Sequence, residues 1–300
     1  MQSGLPARRK FALLITAWDD DLVNPNPILA AAGRVRYHSF VNDRVNMKTL
    51  LLEQAGFDRT CIYEFIAEQN TTPDDVRIWF GAMKQFCLRE DSEAFVVVHY
   101  SGHGTFQIDW DGDEVLEPGS GGGGGGGGFL RRRKDMGKDE ILAVHRNCMI
   151  VDDELHDLVD MGEKASVLAI FDCCHSGTIA DLTFTYVAKA GIQNLVPKLA
   201  RTATHSARTL GRVISFSGCC DKEEAQMSSL DDKTVGNLTK ALLLAWREGG
   251  IDQAIAPALF PRVQATVQKI THHTQKPQLC ASFEIAAAAM PFEPDSWVSK

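Results

Sequence analysis

Three short runs of unbroken apolar residues, at positions 11–15, 95–98 and 167–171, dominate the hydrophobic pattern of the chain. Runs of this length without polar interruption are what strands buried on both faces of a parallel sheet require. Helical spacing separates the first two. From Met47 the apolar positions Leu50, Leu51 and Ala55 fall on one face, and Gly56 offers a stop. Thr72-Pro73-Asp74-Asp75 supplies an N-cap, a first-turn proline and acids that suit the positive end of a helix, ahead of Val76, Trp79, Phe80 and Met83 on one face. A weaker strand is predicted over 60–65, between these two helices.

Further along, 153–161 reads as a helix, 213–217 as a strand, Leu238, Ala241, Leu242 and Ala245 as a helical stripe, and 278–283 as a last strand. Strands alternating with helices imply an α/β sheet. Ligands of such sheets sit beyond the carboxyl ends of the strands. Two polar, glycine-bearing turns, Ser101-Gly102-His103-Gly104 and Asp172-Cys173-Cys174-His175-Ser176-Gly177, follow buried strands directly and are therefore expected on one working edge.

Composition narrows the function classes. The 300 residues are 44% hydrophobic and 23% charged, an ordinary globular balance, and the net charge of −8 lacks the basic footprint of a nucleic-acid binder while suiting a cationic substrate or metal ion. No signal peptide is expected, since the apolar stretch 11–17 is too brief, and no run approaches the roughly 20 apolar residues of a membrane-spanning helix. Eight cysteines without a secretory leader point to reduced thiols and a cytoplasmic location. Cys61, Cys87, Cys148 and Cys280 stand alone in apolar surroundings as small hydrophobes. Residues 119–128 are glycine except Ser120, and read as a loop whose ordering would cost much entropy; such a stretch spans about 17 Å on average. The basic run 131–134 that follows reads as a solvated loop, a self-cleavage site or a nuclear-import signal.

The two turns carry the candidate chemistry. A thiolate attacks carbonyls well, but a free cysteine has a pKa of about 8.5 and needs an electropositive neighbour or a base. His103, at the end of one buried strand, would meet Cys174, at the end of another, if those strands are neighbours. Acyl transfer also needs donors for the oxyanion, and the backbone N–H groups of Gly104 and Cys174 are the natural candidates.

The pair Tyr100-Ser-Gly-His-Gly104 and Asp172-Cys-Cys-His-Ser-Gly177 resembles the histidine and cysteine signatures of metacaspases, in the same order and after strands. Ser217-Gly218-Cys219 and Gln275-Lys-Pro-Gln278 extend the resemblance over nearly the whole chain. It implies a caspase-hemoglobinase α/β fold with a mostly parallel six-stranded sheet flanked by helices. A short tail (1–10) would precede a large-subunit-like region (11–181, with a flexible loop at 119–134), a linker (182–211) and a small-subunit-like region (212–300) of the same domain. It makes Cys174, rather than Cys173, the nucleophile and His103 its partner, in an endopeptidase acting on protein or peptide substrates, commonly as a monomer. The Gln-Ala-Cys-x-Gly signature of caspases is absent, so cleavage after aspartate is disfavoured. The resemblance implies instead an acidic pocket for Arg or Lys, formed by Asp43, Ser101 and Asp172; a carboxylate pair suits a guanidinium or ammonium. For Asp43 a helix N-terminal acid is the alternative.

The resemblance further implies calcium, bound through Asp139, Asp152, Asp153 and Asp181; Asp152 and Asp153 read equally well as first-turn acids of a helix. The acidic run at 109–114 lacks the spacing of an EF-hand. The segment Thr16-Ala-Trp-Asp-Asp-Asp-Leu22 departs from the family pattern. Basic residues between the two regions, Lys189, Lys198, Arg201 and Arg208, are candidate self-processing sites in a stretch without strong structure. Competing readings are a calcium-independent, paracaspase-like protease with the same arginine preference, an inactive scaffold relative, and a zinc site. Adjacent cysteines and the lack of any Cys-x-x-Cys pair argue against zinc.

Overall fold

Alternating polar and apolar chemistry along the chain resolves into thirteen strands and five helices in a computed structural model that describes residues 9–88, 93–108, 138–188, 195–199, 209–220 and 223–299. In chain order they begin with β1 (Arg9–Thr16), α1 (Pro27–Glu53), β2 (Ile62–Ile66), α2 (Pro73–Leu88), β3 (Ala94–Ser101), β4 (His103–Ile108), β5 (Lys138–His145), β6 (Cys148–Val151) and α3 (Asp152–Val159). There follow β7 (Ala165–Asp172), β8 (Phe184–Ala188), β9 (Leu195–Leu199), β10 (Arg212–Ser217), β11 (Met227–Leu230), β12 (Lys233–Gly236), α4 (Asn237–Gly249), α5 (Phe260–Ile270) and β13 (Gln278–Ala281).

The main sheet runs β2-β1-β3-β7-β10-β13-β8-β9. From β2 to β10 all neighbours are parallel; β13 then pairs antiparallel with β10, β8 with β13, and β9 with β8. The apolar runs are its centre. Along β3, Phe95 and Val97 enter the core on one face while Val96 and Val98 enter the other, and β7 divides Leu168 and Ile170 from Val167, Ala169 and Phe171 in the same way. Burial of both faces explains why these strands carry no polar alternation. Each such Val, Leu, Ile or Phe side chain stabilises the fold by about 1.5–3 kcal/mol relative to exposure. Helices α1, α4 and α5 cover the first face through Met47, Leu51, Leu242, Trp246 and Phe260; α2 and α3 cover the second through Val76, Phe80, Met83 and Leu155.

Two expectations change. The sheet has eight strands rather than six: the expected six are present and the hairpin β8–β9 extends the β13 edge. That hairpin occupies part of the region expected as an unstructured linker. Its inward positions are few, with Tyr186 buried but Phe184 and Thr185 only partly so, and a half-covered antiparallel strand has a weaker pattern than a doubly buried one. The glycine stretch 119–128, the basic run 131–134 and the acidic run 109–114 lie outside the described residues. A separate three-stranded sheet, β4-β5-β6, starts where β3 ends, and β11 pairs with β12.

Candidate active site

Strands β3 and β7 are parallel neighbours in register, with Ser101 opposite Asp172, so the two polar turns leave the sheet side by side at its carboxyl edge. His103 opens β4 and Cys174 follows β7 by two residues; both line one cleft of about 100 Å3, with Phe40 and Asp43 from α1, and with Ala225 and Gly236 from the segment after β10. The cleft accordingly sits where an α/β sheet places its ligands.

The Cys174 sulfur is partly buried and accepts a hydrogen bond from the Ala225 N–H, 3.2 Å away. Burial raises the thiol pKa, the Ala225 donor opposes that, and the negative charges of Glu224 and Asp172 add to it. The thiol therefore needs a base. Cys173 is 1% exposed and its pKa is pushed far up by burial, so of the two adjacent thiols only Cys174 faces the cleft. Gly104 packs its backbone on the Cys174 peptide: a Cβ there would lie 1.8 Å from the Cys174 carbonyl oxygen, which makes glycine obligatory at this close approach.

His103 is held from several sides. Its Nε2 lies 3.1 Å from Asp19 Oδ2, the Phe40 ring stands at 90° to the imidazole with centroids 5.2 Å apart, and the Tyr100 hydroxyl donates to the His103 carbonyl at 2.7 Å. Asp19, 1% exposed, is clamped in turn by Arg36, whose Nε and Nη2 donate to Oδ2 and Oδ1 at 2.6 and 3.1 Å. Burial alone would raise the Asp19 pKa, but the hydrogen bonds and charges of His103 and Arg36 outweigh it and hold the carboxyl at about 2.

The floor of the cleft is acidic. Asp43 lies in mid-α1 with no exposure, which excludes the helix N-terminal alternative. Its carboxylate accepts hydrogen bonds from the Ser101 hydroxyl at 2.7 Å and from the Gly236 N–H at 3.0 and 3.1 Å. Asp172 accepts the Thr239 N–H at 2.8 Å and so caps the N-terminus of α4. Oδ2 atoms of both acids converge on one point, 2.9 and 2.2 Å from where a Gly236 Cβ would sit. Burial, then the charge of Asp172, raises Asp43 well above the ordinary carboxylate value; burial raises Asp172 to about 6 against the hydrogen bonds from Thr239. The three residues expected to form an acidic pocket are thus brought together.

The Ala225 wall is braced by Gln275, which accepts from the Gln226 N–H and the Asn237 side chain at 3.1 and 3.2 Å and donates to the Gly218 carbonyl at 2.7 Å. This gives the Gln275-Lys-Pro-Gln278 stretch a positional role: it ties the Ala225 segment to the first turn of α4.

The four carboxylates expected for calcium gather only partly. Asp152 and Asp153 occupy the first turn of α3, and Asp152 accepts the Glu140 and Asp153 N–H groups at 2.7 and 3.0 Å. Burial raises Asp152 to about 7, those two donors oppose it, and the charges of Asp139 and Asp153 add to it, so three of the four lie in one electrostatic neighbourhood. The turn bearing Asp181 touches β5 through a 3.2 Å bond from Thr178 to Glu140. Carboxylate oxygens suit a hard cation, yet among the described residues no three His, Cys, Asp or Glu side chains converge to chelate an ion. Of the candidate processing residues, Lys198 is exposed on β9, paired with Thr185; Lys189, Arg201 and Arg208 lie outside the described residues.

Sequence reasoning missed Asp19, Arg36 and the Ala225 and Gly236 walls. The signal for Asp19 was an unusual run of three acids directly after a buried strand, at the edge where ligands bind.

A profile of the caspase domain matches residues 35–285. Metacaspase-2 of Trypanosoma brucei brucei is 35% identical over 130 residues, 42% of this chain and 31% of the relative. Metacaspase-1 of Arabidopsis thaliana is 28% identical over 211 residues, 66% of this chain and 50% of the relative, so the chain matches a third to a half of the length of these relatives. A solved structure, protein GSU0716 of Geobacter sulfurreducens, superposes with a TM-score of 0.55 at 16% identity, covering 97% of this chain and all of that one, a likeness of fold alone. Among the described residues no helix is long and apolar enough to cross a membrane.

Proposed function

The chain belongs to the caspase-domain family, and from that premise we propose that it is a metacaspase-type cysteine endopeptidase cutting peptide bonds after Arg or Lys. The observation that carries the reading is one cleft that contains Cys174, His103 and the buried pair Asp43 and Asp172. In this reading the substrate's basic side chain enters between the two carboxylates, beside Ser101, and brings the scissile carbonyl to Cys174. His103 takes the thiol proton as the sulfur attacks the carbonyl carbon, then gives it to the leaving amine. The N–H groups of Gly104 and Cys174 receive the oxyanion. Water, deprotonated by His103, releases the acyl group and regenerates the thiol.

A fluorogenic peptide panel with Arg, Lys or Asp at the cleaved position tests this. Arg and Lys peptides should be hydrolysed and Asp peptides left intact, with Cys174→Ala losing roughly a thousandfold or more. Cleavage after Asp, or activity that survives Cys174→Ala, contradicts it.

Calcium activation is the finer part of the proposal. The ion would draw on Asp139, Asp152 and Asp153, with Asp181 nearby, and would neutralise their mutual repulsion. Support comes from the charges of Asp139 and Asp153 acting on Asp152 and from the place of Asp139 on β5, the partner of the strand that begins with His103. Asp152 already accepts two backbone N–H groups, which favours the calcium-independent alternative. The panel run on chelator-stripped protein with and without calcium separates the two. Self-processing at Lys189, Lys198, Arg201 or Arg208 is tested by intact mass of the protein against Cys174→Ala; identical fragments from both would reject it.

A further inference from the structure

His103 meets a buried carboxylate through Nε2, and the contact comes from a segment outside the residues that match the caspase domain, which begin at 35. We propose that Asp19 is a positioning residue that fixes the His103 tautomer and ring for catalysis, completing a Cys174, His103 and Asp19 triad; this deepens the proposed peptidase reading and rests on it.

A neutral imidazole has one N–H and one acceptor nitrogen, and an ionised carboxylate can only accept. With Asp19 Oδ2 at 3.1 Å the proton belongs on Nε2, which leaves Nδ1 as the nitrogen able to take the Cys174 proton in the cleft that both residues line. When Nδ1 takes that proton, the new positive charge lies against a fixed negative one. Asp19 cannot turn away: Oδ1 also accepts the Asp21 N–H at 3.0 Å, and Arg36 grips both oxygens. Arg36 does not cancel the effect, because its Nη2 also pairs with Asp21 at 2.5 Å. Two carboxylates and one guanidinium leave the cluster one negative charge, and an imidazolium neutralises it. The segment is pinned on its other side as well. The Ala17 N–H donates to the Ser101 carbonyl at 3.0 Å, the Trp18 N–H to the Val144 carbonyl at 2.9 Å, and the Arg146 N–H to Asp20 Oδ2 at 3.1 Å. Such an anchored acceptor does for an imidazole what the buried aspartate does in the serine-protease arrangement.

Asp19→Asn keeps the size and one acceptor oxygen, but it places an amide NH2 against groups that all need an acceptor. The test compares Asp19→Asn with the unaltered full chain in three ways: kcat and KM on a peptidyl-arginine coumarin substrate, the rate at which iodoacetamide alkylates Cys174, and the 15N signature of His103. The account expects kcat to fall roughly 100-fold or more with KM changed less than about threefold. Alkylation should slow at least about tenfold, because the thiolate loses its oriented partner. In the unaltered protein near pH 8.5, about two units above the ordinary histidine value, the 15N shifts should report the Nε2–H tautomer. Two results overturn the proposal: the Nδ1–H tautomer in the unaltered protein, or a folded Asp19→Asn whose kcat and alkylation both stay within about threefold of the original. If Asp19→Asn fails to fold, the tautomer of the unaltered protein decides. If the unaltered chain cleaves no arginine peptide while alkylation still depends on Asp19, the triad stands and the substrate reading falls.

Discussion

Burial raises both Asp43 and Asp172, and the charge of Asp172 raises Asp43 further, so a guanidinium seated between them would offset the cost of holding two acids in one buried pocket. Burial pushes Asp172 up to about 6. Below that value the pair gains a proton and loses attraction for a cation, and KM for an arginine peptide should rise about tenfold between pH 7.5 and 5. The sign for stability is opposite. Carboxyls raised by folding contribute their full stability below the ordinary value of about 4 and lose it as pH rises through about 6. A bound peptidyl-argininal should therefore lift Tm more at pH 7.5 than at pH 5, and an equal lift at both would contradict the pair's role. Gly236→Ala would thrust a methyl group to within 2.2 Å of Asp172 Oδ2. It should raise KM roughly tenfold or more while iodoacetamide, which needs no pocket, still alkylates Cys174. Gly104→Ala, aimed at the Cys174 carbonyl, should cost kcat about 100-fold or more in the same assays. Cys174, His103, Asp43, Ser101 and Asp172 were legible as candidates because each lies in or matches a short local motif. Asp19 was not: its partner is 84 residues away, and only the fold reveals that its carboxylate meets an imidazole.

Elements were legible in proportion to how completely they are buried. β1, β3 and β7 announce themselves as apolar runs, whereas α1 hides, because its buried face includes Gly33, Ser39 and Asp43 as well as Phe40 and Met47. A helix that lends one flank to a cleft cannot keep an unbroken apolar stripe, so only its last turns were visible in the pattern. The sheet β4-β5-β6 and the hairpin β8–β9 were missed because their patterns are mixed: β5 buries Glu140 and His145 together with Ile141, Leu142 and Val144, and β8 is only partly covered at Phe184 and Thr185. One side chain outside the cleft holds the start of β10: Asp160 accepts the N–H groups of Gly162, Leu210 and Gly211 at 3.1, 2.9 and 2.9 Å. Asp160→Ala would leave these donors without their acceptor, at a cost of about 1–3 kcal/mol. Chemical denaturation should show that loss, with KM for arginine peptides unchanged in the folded fraction.

At the level of the whole molecule, the sheet gathers its chemistry at one end. Parallel register between β3 and β7 sets the His103 and Cys174 turns side by side; α1 and the start of α4 bring in the two acids, and the segment after β10 closes the wall behind the sulfur. The excess negative charge of the chain, −8 overall, favours approach of a basic substrate over long range. The account stands on Cys174 being the activated nucleophile beside a pocket for a basic side chain. Labelling with a peptidyl-arginine chloromethylketone tests both halves at once. One adduct per chain, mapped to Cys174, absent in Cys174→Ala and not formed by the aspartyl analogue, is the expected result; an adduct elsewhere, none at all, or equal labelling by the aspartyl reagent would contradict it.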